Sequence, residues 1–93
     1  MGFHIFGKTI AGVEIDYYHY PISDKDRPLH KVLKVGHITD KTNEFSRTYS
    51  KGDLLQAQSE LINISGTLSE QDFIARCITE ANDTANKITI TFN

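Results

Sequence analysis

The second half of the chain contains two amphipathic segments, and each has only one apolar face. The stripe of the first segment is formed by Leu54, Leu55, Leu61 and Ile62, and that of the second by Phe73, Ile74, Cys77, Ile78 and Ala81. This spacing is typical of helices that are apolar on one side. Such helices are stable when the apolar side packs against another layer. The rest of the chain must therefore supply that layer.

Both segments carry a helix start signal. Ser50 and Asp53 have the S-x-x-D spacing, in which the serine side chain accepts a hydrogen bond from a free amide of the first turn. Ser69 and Asp72 repeat this spacing in the second segment, and Gly66 lies where the first helix would end. The sequence thus predicts helices over residues 53–62 and 70–81.

Apolar and β-branched runs predict strands in the first half and at the C-terminal end. Phe3–Phe6 is the first run, and Gly7 and Gly12 bracket a hairpin connection to Val13–Tyr20, whose first residues alternate. Lys87–Phe92 alternates strictly. Because this last run follows both helices, it must return to the sheet, and we expect it beside the first strand.

A second hairpin is predicted in the middle of the chain. Lys31–Thr39 is assigned to a strand because of its β-branched content, Asp40–Asn43 to a turn and Glu44–Tyr49 to the returning strand. A short helix is the alternative for the first of these segments. Pro28 suits a first helical turn, and Leu29 begins an apolar spacing that fits a helix.

Together these elements predict one α+β domain over residues 1–93. It would have a mostly antiparallel sheet of about five strands, in the order ββββααβ, with both amphipathic helices packed on one face. The length fits a single domain. The apolar fraction of 39% is typical of folded proteins rather than disordered ones.

The alternation of the second strand predicts which of its side chains face the helices. Val13, Ile15 and Tyr17 would point to the core, and the residues between them to the opposite side. Rings on that opposite side are costly to leave in water, and tyrosine is enriched at interfaces. The residues assigned to this surface are His4, Phe6, Glu14, Asp16, Tyr18 and Tyr20.

The first hypothesis for function is a non-catalytic interaction module. It would self-associate, or bind a partner protein, through the helix-free sheet face or an exposed strand edge. A homodimer is expected, because burial in an oligomer would add to the modest core of a short chain. Two alternatives remain for the rings: aromatic residues that pair across strands only for stability, and a site for an organic cation.

A small-ligand-binding protein or small enzyme is the second hypothesis. Its pocket would lie between the second strand and the second hairpin and would be lined by Tyr17. His19 or His37 would act as the acid–base group beside an aspartate, and Arg47 would contact an anion. No catalytic residue is assigned, and an enzyme is the less expected class.

Weak nucleic-acid binding is the third hypothesis. The basic strip would consist of Lys25, Arg27, Lys31, Lys34 and Arg47. The net charge of −2 argues against attraction of the whole molecule to phosphate. The charge is also uneven, since residues 1–52 carry eight basic and six acidic side chains, whereas residues 53–93 carry two and six.

The remaining motifs do not indicate a function. Gly2–Thr9 has the letters of a phosphate-binding P-loop, but bulky apolar residues fill it and a strand is expected after it. The histidines lack metal-ligand spacings, and Cys77, among apolar neighbours, is expected in the core. No motif indicates a cofactor. No apolar run is long enough to span a membrane, so a soluble cytoplasmic protein is expected.

Overall fold

The computed structural model describes residues 2–21, 23–24, 26–35, 45–83 and 85–93. In chain order its elements are β1 (Gly2–Thr9), β2 (Glu14–Pro21), α1 (Pro28–Val32), β3 (Phe45–Ser50), α2 (Lys51–Asn63), α3 (Leu68–Asp83) and β4 (Lys87–Phe92). The fold class is α+β, as predicted. The described residues form four strands rather than about five, and the order is ββαβααβ because a short helix follows the first hairpin.

The four strands form one antiparallel sheet in the order β2-β1-β4-β3. β1 pairs with β2 through the predicted hairpin, and β4 lies between β1 and β3. The last strand therefore returns beside the first, as predicted. β2 and β3 form the two opposite edges of the sheet.

The core lies on one face of this sheet. Ile88, Ile90 and Phe92 of β4 are fully buried, which confirms the strict alternation of that strand. The buried residues of the two long helices that complete the core are Leu54, Ala57, Leu61, Phe73, Ile74, Cys77 and Ala81. A Cβ atom on Gly7 of β1 would lie 2.8 Å from Sγ of Cys77, so α3 crosses the sheet closely at this glycine. Both helices pack on the same face, as predicted.

The start of α2 matches the predicted capping box. The Asp53 amide donates to Oγ of Ser50 at 3.1 Å, and the Ser50 amide donates to Oδ2 of Asp53 at 3.1 Å. The apolar side of the helix is narrower than predicted, because Leu55 and Ile62 are exposed. Leu54 and Leu61 carry the contact with the core instead.

The predicted start of α3 at Ser69 and Asp72 is wrong by two residues. Oε1 of Glu70 accepts hydrogen bonds from the amide and the hydroxyl of Thr67, at 2.8 and 3.0 Å. The Glu70 amide donates back to Oγ1 of Thr67 at 3.3 Å. These bonds form a T-x-x-E capping box. The helix therefore begins at Leu68, with Glu70 buried in its first turn.

The strand predicted over Lys31–Thr39 is wrong where the structure describes it. Pro28 begins helix α1, because its fixed φ fits a first turn and its missing amide is not needed there. Leu29, Val32 and Leu33 are all buried, which a helical turn permits. The rest of that segment and the predicted turn at Asp40–Asn43 lie outside the described residues, and the returning strand is present as β3.

A β-bulge in β2 changes which of its side chains face the helices. Gly7 is opposite Asp16 and Lys8 is opposite Glu14, so Ile15 is an extra residue in the ladder. Because side chains alternate with period two, one extra residue moves all later side chains to the other face. Ile15 packs against the core, as predicted, but Val13 is 63% exposed beside the hairpin turn.

Beyond the bulge the predicted orientation of β2 is wrong. Tyr18 is opposite Ile5 and Tyr20 is opposite Phe3, so both tyrosines lie on the helix-covered face. Asp16 lies on that face too, and its Oδ1 is 3.4 Å from Nη1 of Arg76 in α3. Tyr17, predicted to point to the core, lies on the helix-free face instead.

Two further segments bear on the sequence motifs. Gly2–Thr9, which has the letters of a P-loop, forms β1 and is followed by a turn and a second strand. Cys77 is buried, as predicted, and burial raises the pKa of its thiol to about 12. Across the described ranges, every helix is too short or too polar to cross a membrane.

Candidate functional site

The helix-free face of the sheet is poor in charge. In ladder register its positions include His4, Phe6 and Lys8 of β1, Glu14, Tyr17 and His19 of β2, Lys87, Thr89 and Thr91 of β4, and Ser46, Thr48 and Ser50 of β3. Within this set the charged side chains are Lys8 and Glu14, which are opposite each other, and Lys87 at the start of β4. The β1–β2 half of the face carries rings, and the β3–β4 half carries hydroxyl groups.

Four of these side chains form what we term the ring cluster: His4, Phe6, Tyr17 and His19. The ring centroids of Phe6 and Tyr17 are 5.0 Å apart, and those of His4 and His19 are 4.8 Å apart. His4 also stacks on Tyr17, with centroids at 5.8 Å and an interplanar angle of 25°. Nδ1 of His4 and the hydroxyl of Tyr17 are hydrogen bonded at 2.6 Å. The cluster is thus one continuous patch across two strands.

The ring cluster is open to solvent. Tyr17 is 42% exposed and His19 is exposed, whereas His4 and Phe6 are half-buried by their neighbours. Nζ of Lys8 lies 5.6 Å from the centroid of Phe6, at the edge of the cluster. A contiguous aromatic patch of this kind on a sheet face is typical of a contact surface.

Half of the residues predicted for the helix-free surface are placed there by the structure. His4, Phe6 and Glu14 lie on it, whereas Asp16, Tyr18 and Tyr20 lie under the helices. Tyr17 and His19 take the places predicted for the two tyrosines. There was little indication in the sequence of which rings face the helices. Residues 17–20 are four consecutive ring residues, so either orientation of the strand places two rings on each face.

Tyr20 belongs to a buried hydrogen-bond network. Its hydroxyl donates to Oε2 of Glu70 and accepts from the amide of Leu29 at 3.0 Å. The other carboxylate oxygen of Glu70 is held by Thr67. Burial, together with the hydrogen bond to Glu70, raises the pKa of Tyr20 well above its ordinary value. The network therefore joins β2, α1 and the start of α3, and its role is structural.

A groove of about 490 Å³ borders this network. Its lining includes Tyr18, Asp24, Asp26, Lys31 and Thr67. Oδ1 of Asp24 accepts hydrogen bonds from the amide of Asp26 at 3.0 Å and from that of Arg27 at 3.4 Å. Asp24 thus shapes its own loop. The groove is the hollow between that loop and the turn before α3.

The predicted ligand pocket is not assembled by the described residues. Tyr17 and His19 are on β2 and Arg47 is on β3, at opposite edges of the sheet. Three strand spacings of about 4.8 Å put these edges roughly 14 Å apart. Arg47 is opposite Ile90, on the helix side, and its Nη1 donates to the carbonyl of Lys34 at 2.9 Å. His37 lies outside the described residues.

The predicted basic strip is dispersed. Lys25 lies outside the described residues, and Arg27 is buried, with its guanidinium carbon 4.0 Å from the ring centroid of Phe3. Nζ of Lys34 is 2.9 Å from Oε2 of Glu60. These positions give little support to the nucleic-acid hypothesis, because a phosphate track needs adjacent basic groups turned to solvent.

His30 is a buried histidine that sequence reasoning missed. It is 3% exposed, and its ring contacts those of Phe3, Tyr20 and Phe92 at centroid distances of 5.9, 5.8 and 5.5 Å. No described residue offers a hydrogen-bond partner to either ring nitrogen. Burial, and secondarily the charge of Arg27, lowers the pKa of His30 to about 4. The signal in the sequence was the position of His30 between Leu29 and Val32, which are both buried in α1. Because this segment was predicted to be a strand, the burial of His30 was not predicted.

A second apolar surface lies on the helix side of the molecule. Ile62, Ile64 and Leu68, around the turn between α2 and α3, are 57, 48 and 77% exposed. Sequence reasoning assigned Ile62 to the core and did not identify this surface. It consists of aliphatic side chains at the ends of two helices, whereas the side chains of the ring cluster are joined by ring contacts and a hydrogen bond.

Comparison of the chain with protein-family models, with curated proteins and with solved structures finds no match.

Proposed function

We propose that this chain is a non-catalytic interaction module that self-associates face to face through the helix-free side of its sheet. The observation that carries the proposal is the ring cluster, a contiguous patch of contacting rings that none of the described helices covers. The partner to which we commit is a second copy of the same chain.

The composition of the face supports this assignment. Interface cores are enriched in aromatic residues and depleted in charged ones. The helix-free face has this composition at its centre, which consists of rings and hydroxyl groups. Its charged residues, Lys8, Glu14 and Lys87, lie towards the end of the sheet at the β1–β2 hairpin. Tyrosine and histidine rings bury apolar area while their polar tips keep hydrogen bonds.

The charge distribution favours a second copy at this face rather than at the helices. Residues 53–93, which contain both long helices, carry two basic and six acidic side chains, a net charge of −4. Two copies that meet through these helices would repel each other. On the helix-free face Lys8 and Glu14 are opposite each other, and Lys87 leaves a net charge of only +1. In a two-fold interface Lys8 of one copy can also lie near Glu14 of the other, because the same patch is used twice.

The size of the face predicts a weak dimer. Four strands spaced at about 4.8 Å, and the eight residues of β1 at about 3.4 Å each, give a face of roughly 19 by 27 Å. That is about 500 Å², below the roughly 800 Å² per partner of standard stable interfaces. We therefore expect reversible association in the micromolar range or weaker.

Sedimentation equilibrium over a series from micromolar to millimolar chain, with a metal chelator present, tests the proposal. We expect a reversible monomer–dimer equilibrium. Tyr17→Glu should weaken it by about tenfold or more, because burying an unpaired carboxylate costs more than about 1.4 kcal/mol. The matched control is Ile62→Glu, which places the same charge on the exposed apolar surface of the helix side.

Two results would overturn the proposal. One is a monomer throughout the concentration series. The other is a dimer that Ile62→Glu dissociates and Tyr17→Glu does not, since that would place the interface at the turn between α2 and α3.

A further inference from the structure

We propose that His4 and His19 form half of a tetrahedral site for a divalent transition metal such as Zn²⁺, and that the same pair from a second copy completes it. This inference rests on the proposed self-association, because the site spans the face where the two copies would meet. It adds that a bound divalent metal ion would control how tightly the two copies associate.

The backbone of β1 and β2 brings the two histidines close together. The amide of His4 donates to the carbonyl of Asn93, and the carbonyl of His4 accepts from the amide of Asn93, both at 2.9 Å. Both backbone groups of His4 therefore point toward β4 and away from β2. His4 and His19, directly opposite in the ladder, are thus a non-hydrogen-bonded pair. In such pairs the Cα atoms are about 4.5 Å apart and the side chains approach most closely.

The separation of the rings suits chelation. Tetrahedral zinc with Zn–N bonds of about 2.1 Å needs ligand nitrogens roughly 3.4 Å apart. The imidazole centroids of His4 and His19 are 4.8 Å apart, with an interplanar angle of 35°. Rings at this distance can present one nitrogen each at the required spacing after small rotations about their side-chain bonds.

Tyr17 orients one of the two ligands. Nδ1 of His4 is 2.6 Å from the Tyr17 hydroxyl. In the tautomer whose Nδ1–H donates to the phenol oxygen, the lone pair of His4 is on Nε2, the nitrogen that a metal would take. A hydrogen bond to the other ring nitrogen is the usual way in which proteins fix the orientation of a metal-binding histidine.

One chain supplies only part of such a site. The described residues contain no group of three or more histidine, cysteine, aspartate or glutamate side chains that could hold a metal ion. Zinc prefers four ligands, and imidazole nitrogens select zinc, copper or nickel over magnesium and calcium. A two-fold interface across the ring cluster presents the second histidine pair to the first. The metal would then bind the dimer more tightly than the monomer and stabilise association.

The test compares the association of the chain in chelator, in ZnCl₂ and in MgCl₂, by sedimentation equilibrium, with zinc stoichiometry from isothermal titration calorimetry. We expect one zinc ion per two chains, a dimer dissociation constant lowered by about tenfold or more, and no effect of magnesium. His19→Ala should abolish the zinc effect. Thr48→Ala, an exposed position on the same face but at the far edge strand, should retain it.

The outcomes separate this inference from the proposed function. A dimer in chelator that zinc does not tighten overturns the metal site and leaves the self-association intact. A monomer in chelator that zinc converts to a dimer, with dependence on His19, supports the metal site and overturns metal-free self-association. Zinc bound at one ion per chain without a change in association, or a zinc effect that survives His19→Ala, overturns the shared site.

Discussion

The two faces of β2 carry the same kinds of side chain in opposite environments. On the helix side, Tyr20 is buried and its hydroxyl has two hydrogen-bond partners, Glu70 and the amide of Leu29. On the helix-free side, three residues earlier, Tyr17 is 42% exposed and shares one hydrogen bond with His4. The difference shows that a tyrosine in this strand has a structural role on one face and is accessible to other molecules on the other.

The physical basis of the difference is how many elements each ring joins. The network around Tyr20 ties β2 to α1 and to the start of α3, so its loss loosens three elements. The contact between Tyr17 and His4 joins two neighbouring strands that the backbone ladder already holds. Substitutions on the helix side should therefore change the free energy of unfolding, whereas those on the helix-free side should change association.

The largest effect on folding is expected from Glu70→Ala. This change removes the acceptor of the Tyr20 hydroxyl and of the Thr67 amide and hydroxyl. Because a buried donor left without a partner costs about 1–3 kcal/mol, we expect a loss of about 3 kcal/mol in the free energy of unfolding. Urea denaturation followed by circular dichroism measures it.

Glu60→Ala is the matched control for this prediction. Glu60 is also a helical glutamate with a hydrogen-bonded partner, Lys34, but the pair lies at the surface. Surface ion pairs contribute little, so the denaturation midpoint should shift far less than with Glu70→Ala. Equal shifts of the midpoint for the two variants would show that the network around Tyr20 contributes no more to stability than a surface contact does.

The second largest effect concerns acid and His30. Its pKa is about 4 in the folded state and near 6.5 when unfolded, so the unfolded chain binds more protons between these values. Stability from neutral His30 is complete above pH 6.5 and is lost as the pH falls through this window. The loss should reach about 2–3 kcal/mol by pH 4.5. Urea denaturation at several pH values measures it.

His30→Leu isolates this contribution. The variant keeps an apolar side chain of similar size among Phe3, Tyr20 and Phe92, and removes two buried nitrogens that no described residue partners. Stability at pH 7 should be unchanged or higher. The curves of stability against pH for the two proteins should then diverge below pH 6.5. Parallel curves would mean that His30 does not remain neutral in the folded protein.

Local signals in the sequence were sufficient for much of the fold. Ser50 and Asp53 identified the start of α2 because a capping box is formed by residues close together in the chain. Lys87–Phe92 identified β4 because a strand with one buried face alternates. The presence of a helix-free sheet face followed from two helices that each have only one apolar side.

The features that the sequence did not reveal depend on distant contacts. The bulge at Ile15 arises from pairing between β1 and β2, and no local pattern fixes the register after it. The start of α3 was misplaced because Ser69–Asp72 and Thr67–Glu70 both have capping spacing. Burial of Glu70 against Tyr20, a residue fifty positions away, favours the second. The bulge determines which rings of β2 are exposed.

The smallest effect on folding is expected from Tyr17→Phe, compared with Tyr20→Phe. Both variants lose only a hydroxyl, from the same strand and from opposite faces. Tyr20→Phe leaves Glu70 and the Leu29 amide without their shared partner, so it should lower the free energy of unfolding by about 2 kcal/mol. Tyr17→Phe removes one solvent-exposed hydrogen bond and should cost less than about 0.5 kcal/mol. Urea denaturation at a dilute, monomeric concentration gives both values. Losses of similar size would contradict the division of β2 into a structural face and a contact face, whereas the expected difference would allow Tyr17 to be substituted in association experiments without disturbing the fold.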